Sequence, residues 1–223
     1  MLKIQEYKSI VFDCDGVILN SNKIKTRAFR IASLPYGHKA STSLEDYHLR
    51  NGGISRYEKF DYFLTSIVPI SCKIEKEMYL KRMLKIYSEE TEKGLIDSEI
   101  TYGLNTLRDK TKNLSWSIVS GGDQDQLHCV FKEKQIMYLF DGGVFGSPDA
   151  KNVILKRELK RENIKKPALF LGDSALDHQV SVANGLDFIF VSGWTEFRSY
   201  EQYCIKNSIR NISKVYDLLD LIN

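Results

Sequence analysis

Two aspartates separated by a single residue follow a short apolar run near the start of the chain. Asp13 and Asp15 come directly after the run Ile-Val-Phe, and Gly16 follows them. Two carboxylates this close repel each other unless a cation or a proton offsets their charge. Because Mg²⁺ takes hard oxygen ligands, the pair predicts half of a magnesium site. The alternative is a simple turn, since Asp and Gly are also common turn residues.

Polar residues end two later apolar runs as well. Ser120 and Gly121 follow the run Trp-Ser-Ile-Val, and Asp173 and Asp177 follow the run Pro-Ala-Leu-Phe-Leu. Such runs have the length and composition of strands that are buried on both faces of a parallel sheet. The carboxyl ends of parallel strands share one edge of the sheet, so we expect these polar residues to converge there with Asp13.

The converging groups are those that phosphoryl transfer requires. We expect Asp13 to attack phosphorus, and Asp15 to protonate the leaving oxygen and later to activate water. Ser120, Gly121 and Lys151 are predicted to bind the phosphoryl group through a hydroxyl, an amide and an ammonium.

The predicted magnesium ligands are all aspartates. Asp13 and Asp173 would ligate the ion through their carboxylates, and Asp15 through its backbone carbonyl. Asp177 would either ligate the ion through a water molecule or hold Lys151 in place.

The elements that position these residues follow from the alternation of apolar runs with helical patterns, which is typical of βαβ units. The predicted fold class is α/β, with a Rossmann-like parallel sheet core formed by residues 1–19 and 96–223. Residues 20–95 are helix-rich, without a convincing buried strand, and predict an inserted α-helical cap. The predicted strands cover residues 10–12, 116–119, 137–140, 167–171 and 188–191, and a final helix covers 213–222.

Capping signals mark two helix starts inside the predicted cap. Thr42 with Glu45 and Ser55 with Glu58 both match the capping-box pattern. Long apolar stripes follow in the sequence to about residue 92 and predict helices that pack together.

One loop of the predicted cap combines backbone freedom with a positive charge. Gly52 and Gly53 directly precede a predicted helix that carries Arg56 in its first turn. Backbone amides and a guanidinium suit an anion, so Gly53 and Arg56 are the predicted substrate contacts of the cap. The alternative is a linker with a solvated arginine.

Composition excludes several function classes. The 32 basic and 29 acidic residues give a net charge of +3, which provides no argument for nucleic acid or membrane binding. No apolar run has the length of a signal-peptide core or a membrane span, so we expect a cytoplasmic protein. The four cysteines lack CxxC spacing, which argues against a zinc site and a disulfide framework. The sequence gives no basis for an oligomeric state.

The chain resembles the haloacid dehalogenase superfamily of phosphatases. The resemblance rests on residues 12–17 (FDCDGV), 118–121 (IVSG), Lys151 and 172–177 (GDSALD), which match in order and spacing over nearly the whole chain. It implies a Rossmann-like core, dependence on Mg²⁺, an aspartyl-phosphate intermediate and a small α-helical cap.

Two details depart from the superfamily's usual pattern. In many relatives the lysine directly precedes a proline, whereas here Pro148 comes before Lys151. Lys156, further along the same predicted helix, is therefore the alternative. Dehalogenases lack the second aspartate, so Asp15 argues against cleavage of carbon–halogen bonds.

Three functions are compatible with this resemblance. The favoured one is a phosphatase acting on a small phosphorylated metabolite, with a sugar or sugar-acid phosphate preferred because of the loop before Arg56. The second is a phosphosugar mutase similar to β-phosphoglucomutase. Such mutases usually have a histidine where this chain has Lys25, and without that acid–base partner for Asp15 we expect hydrolysis. The third is a binding protein without turnover, which the complete set of aspartates disfavours.

Overall fold

The sheet is parallel throughout and has six strands. The computed structural model describes residues 4–221. The strand order β3-β2-β1-β4-β5-β6 is that of a doubly wound Rossmann-like sheet, and the predicted α/β fold class is confirmed. The strands are β1 (Ser9–Phe12), β2 (Ser115–Asp123), β3 (Gly143–Ser147), β4 (Ala168–Gly172), β5 (Asp187–Val191) and β6 (Arg210–Ile212).

Helices cover both faces of the sheet and fill the segment between β1 and β2. The α-helices are α1 (Asn22–Ser33), α2 (His38–Arg50), α3 (Arg56–Tyr62), α4 (Lys73–Asp97), α5 (Leu104–Lys110), α6 (Gln124–Glu133), α7 (Lys151–Lys160), α8 (Ala175–Ala183) and α9 (Tyr200–Lys206). Within the described part of the chain, none of them is both long enough and apolar enough to cross a bilayer.

Strand β1 is buried on both faces because its side chains alternate between two hydrophobic clusters. Ile10 and Phe12 join Trp116 in one cluster, while Val11 packs with Phe170 in the other. A strand held from both sides ends at a fixed position, and Asp13 follows directly at that end.

The segment from α1 to α4, called the helical insert below, has a hydrophobic cluster of its own. Ala28, Phe29 and Ala32 of α1 pack with Phe60 and Tyr87 there, apart from the two clusters on the sheet. This separation supports the predicted division into a core and a cap, which stays a prediction. Helix α4 ends at Asp97, two residues beyond the predicted boundary at residue 95.

The predicted third strand, residues 137–140, is wrong. Met137–Leu139 form a 3₁₀ turn, and β3 begins at Gly143. The apolar run instead covers one end of the core, where the ring of Phe140 lies near those of Phe12, Trp116 and Phe131.

Two helix boundaries also differ from the prediction. The helix expected to start at Thr42 begins at His38, so Thr42 lies inside α2 and caps nothing. The predicted C-terminal helix over 213–222 is a 3₁₀ helix over Val215–Leu221, it follows a strand, β6, that was not predicted, and residue 222 lies outside the described residues. The second capping signal is confirmed, since the Ser55 hydroxyl accepts a hydrogen bond from the Glu58 amide at the start of α3.

Candidate active site

The carboxyl ends of β1, β2 and β4 meet at one edge of the sheet and border a cavity of about 260 Å³. Asp13 and Asp15 follow β1, Gly121 lies near the end of β2, and Asp173 follows β4. The helical insert closes the opposite side of this cavity. Residues that are far apart in the sequence therefore lie close together, because the carboxyl ends of parallel strands share this edge of the sheet.

Lys151, at the start of α7, joins two of the aspartates. Its ammonium lies 2.8 Å from Oδ2 of Asp13 and 2.6 Å from Oδ1 of Asp177. Burial would lower the pKa of Lys151, but the two carboxylates raise it well above its usual value. The alternative lysine, Lys156, is exposed on the same helix. Lys151 is thus the charged partner of the aspartate cluster.

Three buried carboxylates form a group that fits a divalent cation. Asp13, Asp173 and Asp177 each offer an oxygen, and these oxygens all lie within 4.8 Å of one another. Burial raises the pKa of Asp13 to about 7; Lys151 opposes this rise, and Asp177 adds to it. Burial and the neighbouring carboxylates likewise raise the pKa of Asp173 well above its usual value. Mg²⁺ takes oxygen ligands, and its charge would offset the repulsion among these carboxylates, so the residues present fit this ion.

Asp173 is held by groups on both sides of the cavity. Asn22 of α1 donates a hydrogen bond of 2.7 Å to its Oδ2, and the Thr195 hydroxyl donates to its backbone carbonyl. Gly16 makes room for this carboxylate, since a Cβ there would lie 2.1 Å from Oδ2 of Asp173. A positive φ of 75° also favours glycine at this position.

Asp177 has a hydrogen-bond donor at each carboxylate oxygen. Lys151 contacts Oδ1, and the Ser174 hydroxyl donates to Oδ2 over 2.6 Å. Ser174 also caps α8, because its oxygen accepts from the Asp177 amide. Of the two roles predicted for Asp177, these contacts match the one that holds Lys151 in place.

The Asp15 carboxylate is separate from the three-aspartate group. Its Oδ1 accepts a hydrogen bond of 2.6 Å from Ser21, and its Oδ2 lies 2.5 Å from the ammonium of Lys25. Burial would raise the pKa of Asp15, but Lys25 and the Ser21 hydroxyl together lower it. Position 25, where mutases usually have a histidine, is thus occupied by a lysine that contacts Asp15. A role for the Asp15 backbone carbonyl in metal binding stays a prediction.

The end of β2 contributes glycines to the cavity wall. Gly121 and Gly122 line it, while the hydroxyl of Ser120 lies behind them, fully buried, and accepts a hydrogen bond of 2.9 Å from the Gly122 amide. Gly121 also contacts the insert, because a Cβ there would lie 2.2 Å from the carbonyl oxygen of Gly53. The structure thus brings Gly121 and Gly53 together. The Ser120 side chain lies behind Gly121 and Gly122 and does not line the cavity.

Arg56 lines the cavity but its guanidinium is already engaged. Nη1 donates to the Ser88 hydroxyl and Nη2 to Oε1 of Gln126, over 3.0 and 2.6 Å. The guanidinium also lies over the Tyr87 ring, 4.9 Å from its centre. The side chain is buried, which excludes the solvated linker considered above.

A second polar group, which the sequence did not predict, lies on the insert side of the cavity. Lys59 and His48 line the cavity and contact each other, and His48 is linked through Thr26 to Glu196. These residues lie on α3, α2, α1 and the loop after β5. The only available signal was a lysine directly beside the apolar stripe of α3, which by itself indicates no site.

Comparison with known proteins yields one family. The family model described as haloacid dehalogenase-like hydrolase matches residues 10–191. No curated protein matches the sequence.

Several solved structures share the fold across almost the whole chain. A candidate phosphoglycolate phosphatase from Lactobacillus plantarum is 20% identical, with a TM-score of 0.72, and the match covers 96% of this chain and 99% of that one. A predicted phosphatase from Clostridium acetobutylicum is 18% identical, with a TM-score of 0.73 and coverage of 97% and 98%. A haloacid dehalogenase-like hydrolase from Streptococcus pneumoniae is 16% identical, with a TM-score of 0.68 and coverage of 98% and 100%. At these identities the likeness shows the fold alone.

Proposed function

Because the chain belongs to the haloacid dehalogenase-like hydrolase family, we propose that it is a Mg²⁺-dependent phosphatase acting on a small phosphorylated metabolite. The observation that carries this proposal is the buried group of Asp13, Asp173 and Asp177 with Lys151 between two of its members. A nucleophilic carboxylate, a cation site and a fixed ammonium at one cavity suit phosphoryl transfer.

Asp13 is the nucleophile in this proposal. The Cys14 amide donates to its Oδ1 over 2.7 Å and Lys151 faces its Oδ2, so the carboxylate is fixed in orientation. An Asp13 oxygen attacks phosphorus, the bond to the substrate's ester oxygen breaks, and an aspartyl-phosphate forms. Water then attacks the same phosphorus, which releases phosphate and restores the carboxylate. Mg²⁺, held by Asp13 and Asp173 with the backbone carbonyl of Asp15, would offset the charge of the phosphoryl oxygens.

Asp15 moves the protons in both steps. In the first step it gives a proton to the departing ester oxygen, and in the second it takes one from the attacking water. The contact with Lys25 favours the ionised carboxylate, which is the form that the second step needs. The first step requires Asp15 to carry a proton, so the contact with Lys25 must loosen when the substrate enters.

The helical insert acts as the cap of this site. The close approach of Gly53 to Gly121 places the insert against the end of β2. A cavity of about 260 Å³ is small for a ligand site, which favours a metabolite of a few carbon atoms, such as a sugar or sugar-acid phosphate. Closure over the substrate keeps bulk water away from the aspartyl-phosphate. Gly53 and Arg56 are the proposed substrate contacts of the cap, and the cytoplasm is the proposed location.

A phosphosugar mutase is the second candidate, and the Lys25 contact favours it. By lowering the pKa of Asp15, Lys25 makes this carboxylate a weaker base toward water, and so prolongs the life of the aspartyl-phosphate. A mutase would convert a sugar 1-phosphate to the 6-phosphate without releasing phosphate. Product analysis therefore separates the two candidates.

Phosphate release from a panel of sugar, sugar-acid and other small phosphate esters tests the proposal. The wild type is compared with Asp13→Asn, with a chelator, and with Asp61→Asn, which changes an exposed aspartate of α3. Release that needs both Asp13 and Mg²⁺, and survives Asp61→Asn, is the expected result. Turnover that persists in Asp13→Asn would contradict it, and binding without turnover would point to a non-catalytic protein.

A further inference from the structure

Lys59 is a buried cation at the cavity that has no carboxylate partner in the part of the chain that the structure describes. Its side chain is about 1% exposed and lines the insert side of the cavity. Within residues 4–221, its ammonium contacts Nδ1 of His48 over 2.7 Å and lies 5.3 Å from the centre of the Phe29 ring, and no carboxylate is within ion-pair distance. Burying an ammonium without an anionic partner is costly, so such an arrangement indicates a site that an anion completes.

A chain of hydrogen bonds fixes Lys59 and leaves donors free. The Thr26 hydroxyl donates to Oε2 of Glu196 over 2.5 Å, so the Thr26 oxygen accepts from Nε2 of His48. This assigns the proton of the neutral imidazole to Nε2 and leaves Nδ1 as the acceptor for Lys59. Burial, with the nearby Lys59 and Lys25, holds the pKa of His48 well below its usual range, consistent with a neutral ring. An ammonium has three N–H donors, and His48 uses one of them.

The other buried cations that line the cavity differ from Lys59. The charge of Lys25 is offset by Asp15. The two Nη atoms of Arg56 are engaged by Ser88 and Gln126. Lys59 differs from Lys25 in having no carboxylate partner among residues 4–221, and from Arg56 in that its polar contact with His48 leaves N–H donors for a ligand.

We propose that the Lys59 ammonium binds a carboxylate of the substrate, so that the preferred substrates are small phosphate monoesters that also carry a carboxylate. This inference rests on the proposed phosphatase function and narrows its substrate class. A carboxylate matches a single charge and accepts charge-assisted hydrogen bonds from an ammonium. Burial and the neighbouring Lys25 lower the pKa of Lys59 to about 7, and a bound carboxylate would raise it again. The binding of the acid group thus supplies the missing counter-charge.

A matched pair of substrates tests this subsite. Phosphoglycolate and 2-hydroxyethyl phosphate have the same carbon skeleton, and differ in having a carboxylate or an alcohol. We expect the wild type with Mg²⁺ to prefer phosphoglycolate by about 10-fold or more in kcat/KM, the usual worth of a hydrogen bond to a charged group. Lys59→Met should abolish this preference by lowering kcat/KM for phosphoglycolate about 10-fold more than for 2-hydroxyethyl phosphate, since only phosphoglycolate uses the charge. Lys81→Met, at an exposed lysine of α4, should leave both rates unchanged.

Each outcome separates the subsite from the phosphatase activity. Equal use of the two substrates by the wild type, or an equal loss of both rates in Lys59→Met, would overturn the subsite and leave the phosphatase standing. If the wild type hydrolyses neither compound, the proposed function fails for these substrates, and titration calorimetry with Mg²⁺ then tests the subsite without turnover. Tighter binding of 3-phosphonopropanoate than of 3-hydroxypropylphosphonate, lost in Lys59→Met, would support it. Equal binding of the two phosphonates to the wild type would overturn the subsite. This comparison needs no variant, so it remains valid if Lys59→Met does not fold.

Discussion

The ammonium of Lys25 lies 2.5 Å from Oδ2 of Asp15. Lys25 belongs to the first helix of the insert, whereas Asp15 belongs to the loop that follows the central strand. Both side chains are nearly buried, with 11% and 16% of their surface exposed. The contact therefore connects the insert to the proposed acid–base residue and holds that residue in its ionised form.

The first prediction concerns Lys25→Met, which leaves the Asp15 carboxylate buried without its cation. Loss of one partner of a buried pair should lower the free energy of unfolding at pH 7 by about 3 kcal/mol. The pKa of Asp15 is lowered in the folded state, so the stability it contributes is present above about pH 4 and is lost as the pH falls further. The difference in free energy of unfolding between the wild type and Lys25→Met should therefore become smaller toward pH 3. Urea unfolding without Mg²⁺ at several pH values measures this difference. A difference that does not depend on pH would contradict the ion pair between Lys25 and Asp15.

The second prediction concerns Asp13→Asn in the absence of Mg²⁺. The pKa of Asp13 is raised to about 7 by burial, so this carboxylate costs stability increasingly as the pH rises from about 4 to 7. The isosteric amide removes that cost, and we expect the variant to be more stable than the wild type at pH 8, by on the order of 2 kcal/mol. Thermal and urea unfolding at pH 4 and pH 8 provide the comparison. A variant that is less stable than the wild type at pH 8 would show that Asp13 is not a strained buried anion.

The third prediction concerns the effect of Mg²⁺ on stability. An ion that binds the folded protein alone raises the unfolding temperature, and it also removes the repulsion among Asp13, Asp173 and Asp177. Millimolar Mg²⁺ should raise the Tm of the wild type and have little effect on Asp173→Asn. Because the pKa values of Asp13 and Asp173 are raised, binding near pH 7 should also release protons. Calorimetry in buffers of different ionisation enthalpy measures that release; a Tm shift that survives in Asp173→Asn would place the ion elsewhere.

The fourth prediction concerns the contact between the insert and β2. A methyl group at Gly121 would lie 2.2 Å from the carbonyl oxygen of Gly53, whereas one at Gly52 would meet its nearest neighbour, Cβ of Ser174, at 3.2 Å. Gly121→Ala must therefore displace backbone, and should lower kcat/KM by about 10-fold or more, as misplaced site geometry does. Gly52→Ala is the control on the other side of this contact, in the loop that carries Gly53, and should retain most of the activity. Equal effects of both variants would show that the close approach has no functional role.

The sequence was sufficient to predict four of the six strands, β1, β2, β4 and β5, and the aspartates that follow β1 and β4. The apolar runs of β1, β2 and β4 fit a sheet buried on both faces, and polar residues at the end of each run identified the common edge. The strand predicted over 137–140 was wrong because an apolar run of this composition is equally suited to covering one end of the hydrophobic core. Its backbone path depends on the packing of Phe140 against rings from three other elements.

The insert side of the cavity could not be predicted to the same extent. Contacts such as Lys59 with His48, or Asn22 with Asp173, depend on how short helices pack against loops far away in sequence. Spacing along one helix contains no information about such packing. Arg56 was identified from its place beside two glycines, but its contacts with Ser88 and Gln126 depend on the neighbouring helices α4 and α6.

The proposed function depends on phosphoryl transfer through Asp13. Its most direct test is an acid quench during turnover with Mg²⁺ and the best substrate of the panel, followed by mass spectrometry of the peptide that contains Asp13. We expect one phosphoryl group on Asp13 in the wild type and none in Asp13→Asn. Turnover without any phosphoryl group on Asp13, or undiminished turnover in Asp13→Asn, would contradict the account.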